Sequence, residues 1–117
     1  MSSAQAEQLE LDPDRVAEML AEPSPPQLID VREPYERDAG HIAGSEHIEL
    51  TKLTAAAASI DRERPVVFYC RVGSRSLMAA QALRAGGYEA YSMAGGLARW
   101  EREGRPLSPE GGYVADH

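Results

Sequence analysis

Residues 65–76 read PVVFYCRVGSRS, a short apolar run followed directly by a polar loop that holds the chain's single cysteine. Val66 to Tyr69 are continuously apolar, which is typical of a strand buried on both faces of a parallel sheet. Apolar residues at helical spacing from Ser76 to Ala85, closed by Gly86-Gly87, predict a helix after the loop. The segment therefore predicts a strand, a tight loop and a helix, with Cys70 at the carboxyl end of the strand.

The flanking sequence continues this alternation of strands and helices. Further strands are predicted at Gln27–Val31, His47–Leu50 and Tyr88–Met93. Further helices are predicted from Asp12-Pro13 and from Glu33-Pro34, and over Thr51–Ser59 and Leu97–Glu103. The pattern predicts an α/β domain with a largely parallel sheet and helices on both faces. Ligands of such sheets bind at the carboxyl ends of the strands, where Cys70 lies.

Length and composition restrict the class of protein. A chain of 117 residues supports one core, and a single cysteine cannot form a disulfide within the chain. The longest apolar stretches fall far short of the roughly 20 residues that a membrane span needs. The first ten residues have neither a basic start nor an apolar run, so no secretory signal is predicted. We expect a cytoplasmic protein without membrane association.

The charge is unevenly distributed along the chain. Residues 1–61 hold 4 basic and 13 acidic side chains, whereas residues 62–105 hold 8 basic and 4 acidic ones. The net charge of −7 argues against broad nucleic-acid binding, because phosphate contacts need clustered cations. Cys70 lies in the locally basic stretch, which favours an anionic ligand near it. The alternative interpretation is that these arginines cover solvated helix faces.

The loop after the predicted strand has the chemistry of an anion-binding cradle. If it curls around Cys70, the amides of residues 71–76 and the positive end of the helix dipole converge on the sulfur. Gly73 allows positive φ or a close backbone approach, and Arg71 and Arg75 suit an oxyanion because each can donate two parallel hydrogen bonds. Such surroundings favour a reactive thiolate. The alternative is a buried cysteine that acts only as a small hydrophobe.

Four segments in this order resemble a single-domain rhodanese, a thiosulfate sulfurtransferase. They are Asp30-Val31-Arg32-Glu33, Gly40-His41-Ile42-Ala43-Gly44, residues 70–76, and Gly95-Gly96-Leu97 with Trp100. The resemblance covers residues 9–107, with a flexible start at 1–8 and a C-terminal tail at 108–117. It implies a rhodanese-like five-stranded parallel sheet flanked by helices, and a cysteine that carries sulfur as a persulfide.

The resemblance implies a reaction in which the Cys70 thiolate attacks the outer sulfur of thiosulfate, or of a persulfide donor, and sulfite leaves in the thiosulfate case. Cyanide or a thiol then removes the sulfur. Arg71 and Arg75 would hold the sulfonate oxygens, and Ser76 would donate its hydroxyl toward the sulfur. The predicted substrate-binding residues are Arg71, Val72, Gly73, Ser74, Arg75 and Ser76. No cofactor is expected, and one cysteine with three scattered histidines provides no metal motif.

Other conspicuous residues are assigned to the scaffold. Asp30 and Arg32 are interpreted as a structural ion pair or as a loop anchor, and His41 as a turn residue that bonds to the backbone. Trp100 is expected to pack the last helix onto the sheet, and Gly95-Gly96 to form a turn.

Two rival functions stay open. Phosphatases and arsenate reductases of the related fold have five residues between cysteine and arginine, whereas four residues separate Cys70 from Arg75, and Tyr69 replaces the usual preceding histidine. The other rival is a carrier module that passes persulfide sulfur from one protein to another. The expected partners are a small anionic sulfur donor, a thiol or cyanide acceptor and a protein acceptor, and we expect a monomer.

Overall fold

The structure, a computed structural model, describes residues 8–117. The flexible start predicted for residues 1–8 lies outside this range except for its last residue. The strands are β1 (Glu10–Leu11), β2 (Gln27–Asp30), β3 (Glu46–His47), β4 (Val66–Tyr69) and β5 (Ala90–Met93). The α-helices are α1 (Pro13–Leu20), α2 (Pro34–Ala39), α3 (Leu53–Ala56), α4 (Ser74–Ala85) and α5 (Gly96–Arg102). Short 3-10 turns at Leu50–Lys52 and Ala57–Ser59 flank α3.

The five strands form one parallel sheet in the order β1-β5-β4-β2-β3. The apolar strand β4 is central, with Phe68 opposite Ile29 of β2 and Ser92 of β5. All four residues of β4 are buried, as its continuous apolar run predicts. The predicted α/β fold with a five-stranded parallel sheet is therefore confirmed.

Alternation along β4 supplies both layers of the core. Val66 and Phe68 face a cluster that includes side chains of α4. Val67 and Tyr69 face the opposite cluster, in which Trp100 of α5 packs with side chains of α1. The predicted position of helices on both faces and the predicted role of Trp100 are confirmed.

The strand predicted from Tyr88 begins at Ala90, and three further local differences from the predictions are larger. No strand is predicted before α1, yet β1 pairs with β5 as an edge strand of two residues, too short to show alternation. The strand predicted over 47–50 is instead Glu46–His47, because its partner β2 ends at Asp30. The helix predicted over 51–59 is broken into α3 and two 3-10 turns, since among its residues only Leu53 is buried.

The residues predicted as a C-terminal tail, hereafter segment 108–117, lie against the domain. Ser108 forms an antiparallel bridge with His41, and the amide of Tyr113 donates to the carbonyl of Ala39 at 2.9 Å. A Cβ at Gly40 would lie 2.6 Å from the Tyr113 carbonyl oxygen, so this close approach requires glycine. The segment thus packs beside α2, at the edge of the sheet where the strands end.

No helix within residues 8–117 combines the length and the apolar character needed to cross a membrane.

Candidate active site

Cys70 follows β4 directly and is fully buried. Its Sγ accepts hydrogen bonds from the amide of Gly73 at 3.1 Å and from the amide of Ser76 at 3.4 Å. The Ser76 hydroxyl lies 3.5 Å from the same sulfur. Two backbone amides of one short loop therefore point at the sulfur, an arrangement that stabilises negative charge on it.

Gly73 gives the loop its shape. Its φ of +110° is in the region that favours glycine, and the residue caps the N-terminus of α4. The helix begins at Ser74, two residues before the predicted start, so the Ser76 amide belongs to its first turn and is left free of intrahelical bonds. The sulfur therefore accepts one amide hydrogen bond from the glycine at the N-cap and one from the first turn of the helix.

The N-terminus of α5 supports the loop from behind. The amide of Leu97 donates to the Cys70 carbonyl at 2.8 Å, and the amide of Ala98 donates to the Arg71 carbonyl at 3.0 Å. Gly96 makes this contact sterically allowed, since a Cβ there would lie 2.5 Å from the Arg71 carbonyl oxygen. Gly95-Gly96 was predicted only as a turn, and its part in bringing α5 close to the loop was not predicted. The glycine pair was the only local signal of this contact. With these carbonyls held by α5, the loop presents amides to the sulfur.

Ser76 links the sulfur to the neighbouring strand. Its hydroxyl lies 2.7 Å from the Ser92 hydroxyl on β5 and donates to the Gly73 carbonyl at 3.2 Å. Both serines are fully buried. Ser92 is a functional candidate that the sequence did not reveal, because a serine within a strand carries no distinctive pattern.

Arg75 is bound by a carboxylate. Its two terminal nitrogens donate to Glu36 at 2.8 and 2.9 Å, and Glu36 is fully buried on α2. Burial acts to raise the pKa of Glu36, but the hydrogen bonds from Arg75 and from the Glu33 amide hold it below its usual value of 4.5. The hydrogen bonds that Arg75 donates to Glu36 raise the pKa of Arg75 above its ordinary value, although partial burial acts to lower it. Glu36 was not among the site residues predicted from the sequence, although Glu33 and Glu36 have the spacing of a capping box, which the structure contains.

Arg71 is divided between a paired and an unpaired group. Its terminal nitrogen donates to Asp116 of segment 108–117 at 3.2 Å. Its Nε is buried without a hydrogen-bond acceptor among the residues that the structure describes. The other predicted loop residues, Val72 and Ser74, are exposed at the surface, Val72 to 55%. The predicted substrate-binding residues thus lie in the loop after β4 and in the first turn of α4. Both arginines among them already have acidic partners.

The scaffold assignments agree with the structure. Arg32 and Asp30 form a fully buried ion pair with hydrogen bonds of 2.8 and 2.9 Å, and Arg32 also donates to the Gly40 carbonyl at 2.7 Å. His41 Nδ1 lies 3.2 Å from the Arg37 carbonyl, as expected of a turn residue that bonds to the backbone. Through the bond from Arg32 to Gly40, this ion pair connects the end of β2 to the turn after α2, the helix that contains Glu36.

A cleft of about 290 Å³ opens beside the loop. Its lining includes Val31, Glu33, Arg75 and His117. The chain just after β2, helix α4 and segment 108–117 therefore all contribute. A larger cavity of about 740 Å³ lies between the α3 region and the far end of α4 and contains no residue of the loop. The smaller cleft is therefore the one that adjoins the candidate site.

Glu33, Glu36 and His117 place potential metal ligand atoms within 4.8 Å of one another. Both oxygens of Glu36 already accept hydrogen bonds from Arg75, so this cluster is not assigned to a metal.

Comparison with known proteins identifies the family. Residues 12–103 match the family described as Rhodanese-like domain. A sulfurtransferase of Allochromatium vinosum is 33% identical over 104 residues, which cover 87% of this chain and 97% of that protein. The uncharacterized protein YqhL of Bacillus subtilis is 45% identical over 75 residues, which cover 63% of this chain and 60% of that protein. The crystal structure of a rhodanese-related protein from Thermoplasma volcanium superposes with a TM-score of 0.78 at 28% identity, covering 84% of this chain and 95% of that one.

The matched family and the named sulfurtransferase relative support sulfur transfer as the class of reaction. Since the match spans β2 to β5 and includes the whole loop around Cys70, this chain belongs to the rhodanese-like family.

Proposed function

We propose that this protein transfers a sulfane sulfur from thiosulfate, or from a persulfide, to a thiophilic acceptor such as cyanide or a thiol through a persulfide on Cys70. The observation that carries the proposal is the pair of amide hydrogen bonds on Cys70 Sγ, from Gly73 at 3.1 Å and Ser76 at 3.4 Å. A neutral buried cysteine needs no such donors, whereas a sulfur that carries negative charge is stabilised by them.

In the first half-reaction, the Cys70 thiolate forms a bond to the outer sulfur of thiosulfate. The sulfur–sulfur bond of thiosulfate breaks, and sulfite leaves with the bonding electron pair. Sulfite departs as an anion without a proton, so the step needs no general base. The Gly73 and Ser76 amides stabilise the negative sulfur before the attack.

In the second half-reaction, cyanide or a thiolate attacks the outer sulfur of the Cys70 persulfide. The bond between the two sulfurs breaks, and the Cys70 thiolate returns to its amide donors while the product leaves as thiocyanate or a new persulfide. The enzyme sulfur is the leaving group here, and the same donors that stabilise the nucleophile also stabilise the departing anion.

The arginines of the loop are proposed to recognise the donor. The buried Nε of Arg71, which lacks an acceptor within residues 8–117, supports a hydrogen bond to an oxygen of the donor. Arg75 lines the cleft, and Glu36 fixes its position. Since Cys70 is fully buried in this conformation, donor entry requires local opening of the loop surroundings.

The reaction is tested by thiocyanate production from thiosulfate and cyanide, with Cys70→Ser as the matched control. Intact-mass spectrometry after thiosulfate exposure should show the gain of one sulfur atom, which cyanide should remove. Equal thiocyanate rates for wild type and Cys70→Ser would overturn the catalytic assignment.

A second candidate is a carrier module that accepts persulfide sulfur from one protein and passes it to another. The pairing of Arg71 with Asp116 and of Arg75 with Glu36 favours it, because both loop cations are already neutralised and a small dianion gains less by binding. Comparison of loading rates from thiosulfate and from a cysteine persulfide separates the two: a carrier loads only from the persulfide.

Phosphoryl transfer is disfavoured by the position after Arg75. An arginine there would have the spacing of the phosphatase loop, but Ser76 occupies it and is fully buried against Ser92. The cytoplasmic location and the monomeric state stay predictions from the sequence.

A further inference from the structure

Segment 108–117 places a carboxylate on the first arginine of the loop. Asp116 Oδ1 accepts a hydrogen bond from the terminal nitrogen of Arg71 at 3.2 Å, across 45 positions of sequence. The family match ends at residue 103, so Asp116 lies outside the part of the chain that the family shares. Arg71 follows Cys70 directly in the chain, so this ion pair involves the first residue of the loop around the sulfur.

The position of Asp116 is set by its backbone. The Asp116 carbonyl accepts a hydrogen bond from the Tyr35 hydroxyl at 3.0 Å, and the preceding Ala115 is buried. The Tyr113 amide is bound to the Ala39 carbonyl. Because these contacts fix the main chain on α2, the carboxylate meets Arg71 without depending on its own side chain for anchorage.

Arg71 keeps one donor that this pairing does not satisfy. Its Nε is buried and has no acceptor among the described residues, because Asp116 accepts only from the terminal nitrogen. A buried donor without an acceptor costs free energy unless something binds to it. An oxyanion on this guanidinium would satisfy the donor and would have to share the positive charge with Asp116.

We propose that Asp116 is a specificity-determining residue, which lowers the access of anionic reagents to Cys70 by neutralising Arg71. The inference rests on the proposed function insofar as the discriminated molecules are sulfur donors. An anion meets a paired arginine and an acidic neighbour, whereas an uncharged reagent of the same size meets neither attraction nor repulsion. The residue therefore shifts donor preference away from thiosulfate and toward donors of lower charge.

The size of the effect follows from the exposure of the pair. The Arg71 side chain is 36% exposed and that of Asp116 is 98% exposed, so solvent and salt screen their interaction. For such pairs we expect a change of about two- to five-fold when the charge is removed.

Alkylation of Cys70 measures this discrimination without sulfur chemistry. Iodoacetate and iodoacetamide react alike, since the thiolate forms a bond to the methylene carbon and iodide leaves with the bonding pair. They differ in charge. We expect Asp116→Asn to raise the rate with iodoacetate by about two- to five-fold at low salt and to leave the rate with iodoacetamide unchanged. Glu110→Gln, at an exposed position of the same segment, removes one negative charge as the control and should alter neither rate.

The Arg71→Gln background tests whether Asp116 acts through Arg71. There, Asp116→Asn should change the iodoacetate rate by less than about two-fold, since the pair no longer exists. A parallel fall in the thiosulfate KM of Asp116→Asn in the wild-type background is expected.

Two outcomes would overturn the proposal. An equal rise with both reagents would mean that the segment is only a steric cover, and unchanged rates with both would mean that Asp116 has no influence on the site. If the wild-type protein formed no thiocyanate from thiosulfate and cyanide, this result would count against the proposed function alone. The alkylation rates do not depend on sulfur transfer.

Discussion

Arg75 donates hydrogen bonds to both carboxylate oxygens of Glu36, at 2.8 Å to Oε1 and 2.9 Å to Oε2. Glu36 is buried on α2, and Arg75 lies in the first turn of α4, next to the residue whose amide binds the Cys70 sulfur. The pair therefore joins two helices across the edge of the sheet and holds the helix end that faces the sulfur.

Glu36→Gln should destabilise the protein by about 2–3 kcal/mol near pH 7, because it leaves the partly buried Arg75 without its counter-charge. The pKa of Glu36 is lowered in the folded state, so the pair's contribution is present above pH 4.5 and is lost as the pH falls through the lowered pKa. Urea unfolding at a series of pH values should show the gap between wild type and variant narrowing below pH 4.5. A gap independent of pH would contradict this role of the carboxylate.

Arg75→Ala should raise the thiosulfate KM and slow sulfur loading, lowering kcat/KM by about ten- to hundred-fold, as expected when a charged hydrogen bond to an anion is removed. Steady-state thiocyanate assays well below the melting temperature measure this effect. Arg102→Ala on α5 removes the same charge from an exposed position and should have no effect. Equal loss of activity in Arg75→Ala and Glu36→Gln would show that Arg75 only positions the loop and does not contact the donor.

Gly96→Ala should disrupt the contact by which α5 supports the loop around Cys70. The new Cβ would meet the Cys70 and Arg71 carbonyl oxygens at 2.5 to 2.6 Å, and the residue has φ of +61°. Gly104→Ala is the matched control, since Gly104 has φ of +86° and open space around it. We expect about 1 kcal/mol of destabilisation in the control, from the backbone alone. After correction for the fraction of unfolded protein, the rate of sulfur loading in intact-mass time courses should fall several-fold more in Gly96→Ala than in Gly104→Ala. Equal loading rates in the two variants would argue against the support by α5.

Ser76→Ala should slow persulfide formation by about two- to ten-fold, because it removes the hydroxyl that lies 3.5 Å from the Cys70 sulfur. Ser92→Ala is its control, as it removes the other member of the same buried hydroxyl pair and leaves the Ser76 hydroxyl in place. Each variant leaves one buried hydroxyl without this partner and should lose about 1 kcal/mol of stability. If both variants slowed loading to the same extent, the effect would come from the packing of the hydroxyl pair and not from the Ser76 hydroxyl beside the sulfur.

Local chemistry explains why much of the fold was predictable. The apolar run of β4 required burial on both faces, and Gly73 was expected to allow positive φ, which the structure confirms at +110°. The Asp30–Arg32 pair was also predictable, because its members lie two positions apart at the end of one strand. Prediction failed where local signals were weak, as for the two residues of β1 and the alanine-rich stretch around α3.

The partners of the loop were not predictable from local patterns. Arg75 and Glu36 lie 39 positions apart, Ser76 and Ser92 lie 16 apart, and Arg71 and Asp116 lie 45 apart. No periodicity connects such positions, so the sequence suggested two arginines open to a donor where the structure shows two that are paired with carboxylates.

By itself, the sequence determined the succession of strands and helices, the cysteine at a strand end and the turn that follows it, because these depend on apolar spacing and backbone preferences within a few residues. The tertiary structure decided which groups surround that cysteine. The sheet order β1-β5-β4-β2-β3 places the ends of β2 and β5 on either side of β4, and this adjacency brings Glu36 and Ser92 to the loop. Charge and hydrogen bonding at the sulfur are therefore consequences of chain topology, which distant residues specify together.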